Sequence, residues 1–240
     1  SLATVIGTDP DTDLAVLKIE LEGIEAISFG SSADVRVGDI VLAIGNPFGF
    51  GQTVTQGIIS ATGRYGLNLN TYEDYLQTDA DINPGNSGGA LINPRGELVG
   101  INAAIFSRSG GSQGIGLAIP AENAREVLDS IVDHGRVIRG WLGLEVAELT
   151  PQAIAQLALP LSRGIIITAT HPQGPADRAG LRVGDVIVAI NDSGIMEGRE
   201  GLLQVARMMP GEPAAIKVLR NGTKLTLNAT VGTRPTPLPR

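Results

Sequence analysis

The chain contains no cysteine. Disulfides, zinc–thiolate centres and a cysteine nucleophile are thereby excluded. The absence fits an oxidising compartment, where a stray thiol is a liability, without requiring one. Aromatic residues make up only 3% of the 240 positions, so the cores must be built from Ala, Val, Ile and Leu. No apolar run is long enough to span a bilayer. The formal net charge is −7 and no basic cluster occurs, which argues against a nucleic-acid surface and supplies no polybasic membrane patch. Histidine, the usual base beside a hydroxyl nucleophile, occurs only at His134 and His171. The opening Ser1-Leu2-Ala3-Thr4 is no signal peptide and reads as the middle of a strand, so the chain is expected to start inside a domain.

What is abundant is glycine, 32 residues scattered without period, which points to many tight turns between short strands. The length suits two domains. Residues 1–119 read as all-β, with strands expected at Thr4–Gly7, Leu14–Ile19, Asp39–Ile44, Thr53–Ala61, Ala90–Ile92, Leu98–Ala104 and Gly116–Ile119. A helix follows Pro120, because Ala124, Val127, Leu128, Ile131 and Val132 fall at helical spacing, with Glu122 in the first turn and Gly135 as C-cap. Residues 136–140 read as a linker. Residues 141–232 mix strands (Leu142–Val146, Gly164–Ala169, Val186–Ile190, Ala215–Leu219, Leu225–Thr230) with helices (Pro151–Leu157, Ala176–Ala179, Arg199–Met208). Residues 233–240 are proline-rich and expected to be a disordered tail.

One stretch carries chemistry: Asn83-Pro84-Gly85-Asn86-Ser87-Gly88-Gly89-Ala90-Leu91. A serine nucleophile needs a tight, accessible turn, with backbone N–H groups converging where the tetrahedral oxyanion forms. Flanking glycines permit the dihedrals and the close approach of substrate. The Gly85 and Ser87 amides are the natural pair for such a hole. A glycine-rich hairpin loop with an incidental serine has the same composition, so this motif alone leaves both readings open.

The wider sequence decides between them. Gly85–Leu91 and Gly96-Glu97-Leu98-Val99-Gly100-Ile101-Asn102 resemble the HtrA family of serine proteases. So do Asp13–Ile19, Val41–Pro47, Gln77–Ala80 and Gly114–Pro120, in order along nearly the whole chain. The run Gly174–Ile187, with Gly180-Leu181 and Gly184-Asp185 around a turn, resembles PDZ domains. The single PDZ domain and short loops are similar to the DegS-like, stress-sensing branch. The resemblance implies a mainly β protein: a chymotrypsin-type double β-barrel at 1–135, its N-terminal barrel truncated here, then an α+β PDZ domain.

In that resemblance Ser87 is the nucleophile and Asp13 the triad carboxylate. Gly85, Asn86 and Ser87 form the oxyanion hole. Asp9 and Asp11 are weaker candidates, expected in a solvated turn. Asp79 and Asp81 are expected to be structural, a buried carboxylate anchoring amides of the nucleophile loop. Ile105 and Phe106 would line a specificity pocket for small or medium aliphatic residues, or else be ordinary barrel core. Trp141, Leu142, Gly143 and Leu144 would take a peptide C-terminus, with Leu203 or Met208 from the following helix in the pocket wall. Arg64, in a polar loop over 63–75, would be the regulatory contact, or else a solvated surface arginine.

Neither histidine fits the base. The triad of this fold runs His, Asp, Ser along the chain, and both histidines follow Ser87. His134 reads as a helix C-terminal residue and His171 as a surface loop residue. Two barrels need about twelve strands and roughly seven are legible before the helix. The base is therefore expected on an upstream segment, and this stretch by itself is expected to be inactive.

The implied function is ATP-independent serine endoproteolysis in the bacterial periplasm, without metal or organic cofactor. The implied partners are C-terminal peptides of misfolded outer-membrane proteins as activators and an anti-sigma factor as substrate. A homotrimer anchored to the inner membrane is also implied. A peptide-binding scaffold or chaperone that cuts nothing is the alternative.

Overall fold

The computed structural model describes residues 2–49, 51–105, 111–156 and 164–235. The chain divides into two compact units, Ser1–Val137 and Ile138–Arg240.

The first unit opens with an antiparallel hairpin, β1 (Ala3–Asp9) and β2 (Leu14–Ile19), in which Val5 pairs with Leu17. Both of those side chains stay exposed, as do Leu2, Leu21 and Ile24. Then follow β3 (Ile40–Gly45), a 3₁₀ turn at Pro47–Gly49, β4 (Thr53–Arg64), β5 (Tyr75–Thr78), β6 (Ala90–Ile92), β7 (Leu98–Ile105) and β8 (Gly116–Pro120). These six strands close a barrel in the order β3-β4-β5-β8-β7-β6. Its interior is aliphatic: Val41, Ile59, Leu76, Ile82, Leu91 and Val99 are almost fully buried.

Sequence reasoning missed β5 and placed its first residue in the polar loop. Strand β4 in fact runs to Arg64, which pairs with Tyr75, so that loop is a hairpin connection over residues 65–74. Four residues give too short an alternation to show a period. The strand is fixed instead by its place between β4 and β8.

Strand β8 leads directly into α1 (Ala121–His134), whose buried stripe includes Val127 and Ile131. Glu122 accepts the Ser32 N–H at 2.9 Å, while the Ser32 hydroxyl accepts the Glu122 N–H at 3.3 Å. This reciprocal cap ties the β2–β3 connection to the helix start. Gly135 ends the helix at φ 72°, its N–H donating to Ile131 O. His134 is the last helical residue, as expected.

The second unit contains β9 (Gly140–Trp141), β10 (Leu144–Glu148), α2 (Pro151–Gln156), β11 (Ile165–Thr170), α3 (Pro175–Arg178) and β12 (Val186–Ile190). It continues through β13 (Ser193–Gly194), α4 (Gly198–Arg207), β14 (Pro213–Arg220), β15 (Thr223–Thr230) and β16 (Gly232–Thr233). The main sheet runs β10-β11-β12-β14-β15, with β13 on β12, while β16 pairs with β9. Ile165, Ile167, Leu181, Ile187, Ile216 and Val218 form the core.

Two expectations need correction here. The strand expected at Leu142–Val146 is interrupted, because Gly143 takes φ 72° between β9 and β10. The tail does not begin at 233: Thr233 pairs with Gly140, and the Arg234 N–H donates to Arg139 O at 2.9 Å. The rest of that stretch, from 236, lies outside the described residues.

Candidate active site

Ser87 sits on a turn between β5 and β6, exposed, between Gly85 at φ 105° and Gly88 at φ 82°. Both angles lie in the region that suits glycine. The turn is stitched to its surroundings by backbone bonds. Gly89 N–H donates to Asn86 O at 2.9 Å, Gly88 N–H to Asn102 O at 2.8 Å, and Asn102 N–H to Gly89 O at 2.9 Å. Asn86 is buried and its Nδ2 reaches Asp81 O at 3.4 Å. No side chain would fit at Gly45 opposite it, since a Cβ there would stand 2.6 Å from Asn86 Cα. Buried Asn102 donates to both Ile44 O and Ala90 O at 3.2 Å, locking β7 to β3 and β6.

The Ser87 hydroxyl donates to the Ala103 carbonyl at 3.0 Å. Its proton is thus held by β7 and not by a ring nitrogen. The N–H groups of Gly85 and Ser87 meet no acceptor among the described residues. The Asn86 N–H is engaged by Asn83 O at 3.0 Å, so only two of the three expected hole donors are available. Two backbone donors beside a reachable hydroxyl form the arrangement that stabilises a tetrahedral oxyanion.

The acidic residues do not all lie as expected. Asp9 and Asp11 are buried, not solvated: the Thr12 hydroxyl bonds the Asp9 carboxylate, and Asp11 O accepts the Tyr72 N–H at 3.1 Å. Asp13 is the exposed one, at φ 60°, leading into β2. Asp79 is exposed, and its Oδ1 accepts the Ile58 N–H of β4 at 2.7 Å. It anchors a barrel strand, and the nucleophile turn is held by Asn86 on the Asp81 carbonyl instead. Arg64 Nε donates to Gln77 Oε1 at 2.8 Å. Ile105, at the end of β7, packs against the barrel core. Phe106 lies outside the described residues.

In the second unit, Trp141-Leu142-Gly143-Leu144 spans the end of β9, the Gly143 turn and the start of β10. The N–H groups of Leu142 and Gly143 meet no acceptor among the described residues. Strand β10 is the end strand of its sheet, and α4 packs near it through Gly198, where a Cβ would stand 3.3 Å from Val146 Cγ2. Leu203 is half-buried on α4, and Met208 just beyond it packs against the core. His171 is exposed, as expected of a surface loop residue. Its N–H donates to Gly143 O at 2.7 Å, and its ring meets Trp141 edge-on at 5.2 Å and 70°. Only its place before Pro172 in a turn was visible in the sequence.

Models of known families match both units: a trypsin-like peptidase domain over residues 2–101 and a PDZ domain over 140–231. The chain is 45% identical, over 97% of its length, to a probable periplasmic serine endoprotease DegP-like of Brucella suis, of which it spans 46%. It is 43% identical to the serine endoprotease DegS of Escherichia coli, again over 97% of its length, and spans 67% of that protein. Among solved structures, the HtrA-type protease AlgW with decapeptide is 58% identical with a TM-score of 0.90, covering 98% of this chain and 72% of AlgW. A serine endoprotease from Yersinia pestis is 41% identical with a TM-score of 0.73, covering 97% of this chain and 76% of that one.

Proposed function

The chain belongs to the HtrA family of trypsin-like, PDZ-bearing serine proteases, and from that premise we propose that it is part of a periplasmic endopeptidase switched on by peptide C-termini. The observation that carries the reading is the exposed Ser87 with the Gly85 and Ser87 amides beside it, which meet no acceptor among the described residues. Ser87 attacks the scissile carbonyl, and those two amides receive the oxyanion. Asp13 orients the base. In this reading that base is a histidine on polypeptide outside these 240 residues. Neither histidine of this chain takes that role in this reading, because the triad of the fold runs His, Asp, Ser along the chain and both histidines follow Ser87.

Regulation runs through the hairpin loop over residues 65–74. Arg64 reads the state of the PDZ domain, and its bond to Gln77 sets β5, which feeds the nucleophile turn. A flip of the Gly85–Asn86 peptide would open or close the oxyanion hole. The PDZ unit takes a terminal carboxylate on the Leu142 and Gly143 amides and adds the peptide to the edge of β10. The proposed activators are exposed C-termini of misfolded outer-membrane proteins. The proposed substrate is a membrane-spanning anti-sigma factor, cut after small aliphatic residues, since β7 carries no acidic side chain to hold Lys or Arg. A trimer anchored to the inner membrane belongs to the same reading.

The test is peptide-stimulated cleavage by the complete protein and its Ser87→Ala variant, with cleavage sites mapped. Ser87→Ala should lose on the order of 10³-fold or more in rate while folding normally. Near wild-type cleavage in that variant, or sites dominated by Lys and Arg, would refute the assignment. No cleavage by the wild type at any peptide concentration would leave a peptide-binding scaffold.

A further inference from the structure

The loop between β4 and β5 is built around one carboxylate. Glu73 is 7% exposed. Its Oε2 accepts the Leu67 N–H at 2.7 Å, and its Oε1 accepts the Leu69 N–H at 2.6 Å and the Asn70 N–H at 3.2 Å. A glutamate this deep is rare without such partners. Charge-assisted bonds to three amides make it a clamp.

The clamped loop is tied to the rest of the site twice. Its Tyr72 N–H donates to Asp11 O at 3.1 Å, in the turn between β1 and β2. That turn is closed by the Thr12 N–H on Asp9 O at 3.2 Å and by the Thr12 hydroxyl on the Asp9 carboxylate. Asp13 follows at once, so the turn sets its direction. The second tie is apolar. Leu67 and Leu14, the residue after Asp13, each pack on a buried cluster of Tyr75, Leu117 and Ile119. Ala103, whose carbonyl holds the Ser87 hydroxyl, joins the same cluster. Asn70 Nδ2 donates to the Tyr75 hydroxyl at 2.5 Å. Burial, then the charges of Glu73 and Asp13, push the Tyr75 phenol up to about 12, so a neutral ring stands near both carboxylates.

We infer that Glu73 is a positioning residue for proteolysis: by closing residues 67–70 onto its carboxylate it holds Tyr72 on the Asp11 carbonyl and Leu67 on the cluster that also seats Leu14, and so fixes the turn that presents Asp13. The inference rests on the triad reading of Asp13 given above. Glu73 itself touches no reacting atom.

The experiment compares kcat and KM of the complete protein at saturating activating peptide. The variants are Glu73→Ala, Glu73→Gln, Asp13→Asn and Asp13→Asn combined with each Glu73 change, with thermal melts alongside. Glu73→Ala should lower kcat on the order of 10²-fold, as a misplaced group does, with KM little changed. Glu73→Gln, which keeps one acceptor oxygen, should fall between. Because Glu73 acts through Asp13, each double variant should be no slower than Asp13→Asn alone. A Glu73 variant that melts lower but keeps wild-type kcat, or doubles whose losses multiply, would overturn the inference. If Glu73→Ala does not fold, Glu73→Gln and its double carry the same comparison. A slow Asp13→Asn beside a fast Glu73 variant removes the inference alone. Asp13→Asn at the wild-type rate removes the triad reading and the inference with it.

Discussion

The two units hold sites of different completeness. In the PDZ unit, the Leu142 and Gly143 amides, the edge of β10 and the neighbouring α4 all rest on one hydrophobic core. In the proposed reading a peptide is taken there by backbone alone, because strand addition needs only unpaired amides and carbonyls at an edge. In the protease unit, the nucleophile turn sits on a closed barrel, but Asp13 sits on a hairpin outside it. On that hairpin Val5 and Leu17 are 60% and 56% exposed, although they face each other across the ladder. A triad needs three side chains from separate elements. Binding by main chain is therefore encoded over a few residues, whereas the catalytic constellation depends on parts far apart in sequence.

That contrast breaks most sharply at Gly143. Its φ of 72° suits glycine, and a Cβ would stand 2.9 Å from two ring carbons of Trp141. Gly143→Val should deform the loop and lower activator-peptide affinity at least about tenfold, as expected when a strained backbone position is filled. Peptide-stimulated cleavage should fall with it, while unstimulated cleavage stays at its wild-type level. Isothermal titration of the peptide, set beside the basal rate, measures both. Unchanged affinity would mean the carboxylate is not taken at this loop.

A smaller effect is expected at Arg64, the proposed regulatory contact. Arg64→Ala removes the donor to Gln77 Oε1 and should reduce maximal stimulation several-fold, with peptide affinity almost unchanged. A cleavage assay across peptide concentration separates the two quantities. Equal stimulation of variant and wild type would remove Arg64 from the regulatory route.

How far the sequence was legible follows the same division between local and distant. The nucleophile turn could be read because its requirements are local: a serine, and glycines where φ must be positive. Helix α1 could be read from its apolar spacing and its Gly135 cap. Glu73 could not, because its partners are main-chain amides of an irregular loop, and nothing periodic points to them. The flanking Tyr72 and Tyr75 in an otherwise polar run were the available hint that this loop folds inward. Asp9 and Asp11 looked like a solvated turn, although both are buried; Asp11 O meets the Tyr72 N–H from far along the chain, and the Asp9 carboxylate is held by the neighbouring Thr12 hydroxyl. His171 was legible as a surface residue and is exposed, but its ring contact with Trp141 of β9 is an adjacency only the fold creates.

The smallest functional effect, and the clearest statement of the PDZ unit's independence, should come from Asp185. This carboxylate is 1% exposed and receives Arg220 Nε at 2.6 Å, Arg220 Nη2 at 2.7 Å and the Arg182 N–H at 2.9 Å. Arg220 Nη2 also donates to Gly180 O at 2.7 Å, so the pair fastens the turn before β12. Burial works to raise the carboxyl's pKa, but the Arg220 bonds and the Arg182 amide outweigh it and hold it below the usual range. A depressed folded pKa contributes stability that is fully present above the ordinary carboxylate value of about 4 and is lost as pH falls through the folded value. Asp185→Asn should therefore destabilise the PDZ unit by about 2–3 kcal/mol at pH 7, somewhat below a fully buried pair, because Arg220 is 22% exposed. The gap to wild type should narrow as the pH drops below about 4. The chain's single tryptophan, Trp141, lies in this unit, so fluorescence-detected unfolding at several pH values reports on it directly. At neutral pH and room temperature the variant should still bind peptide and support cleavage, since the Leu142 and Gly143 amides are not among the bonds of the lock. Equal unfolding midpoints at pH 7, or a gap that stays constant down to pH 3, would show that this ion pair does not hold the unit together.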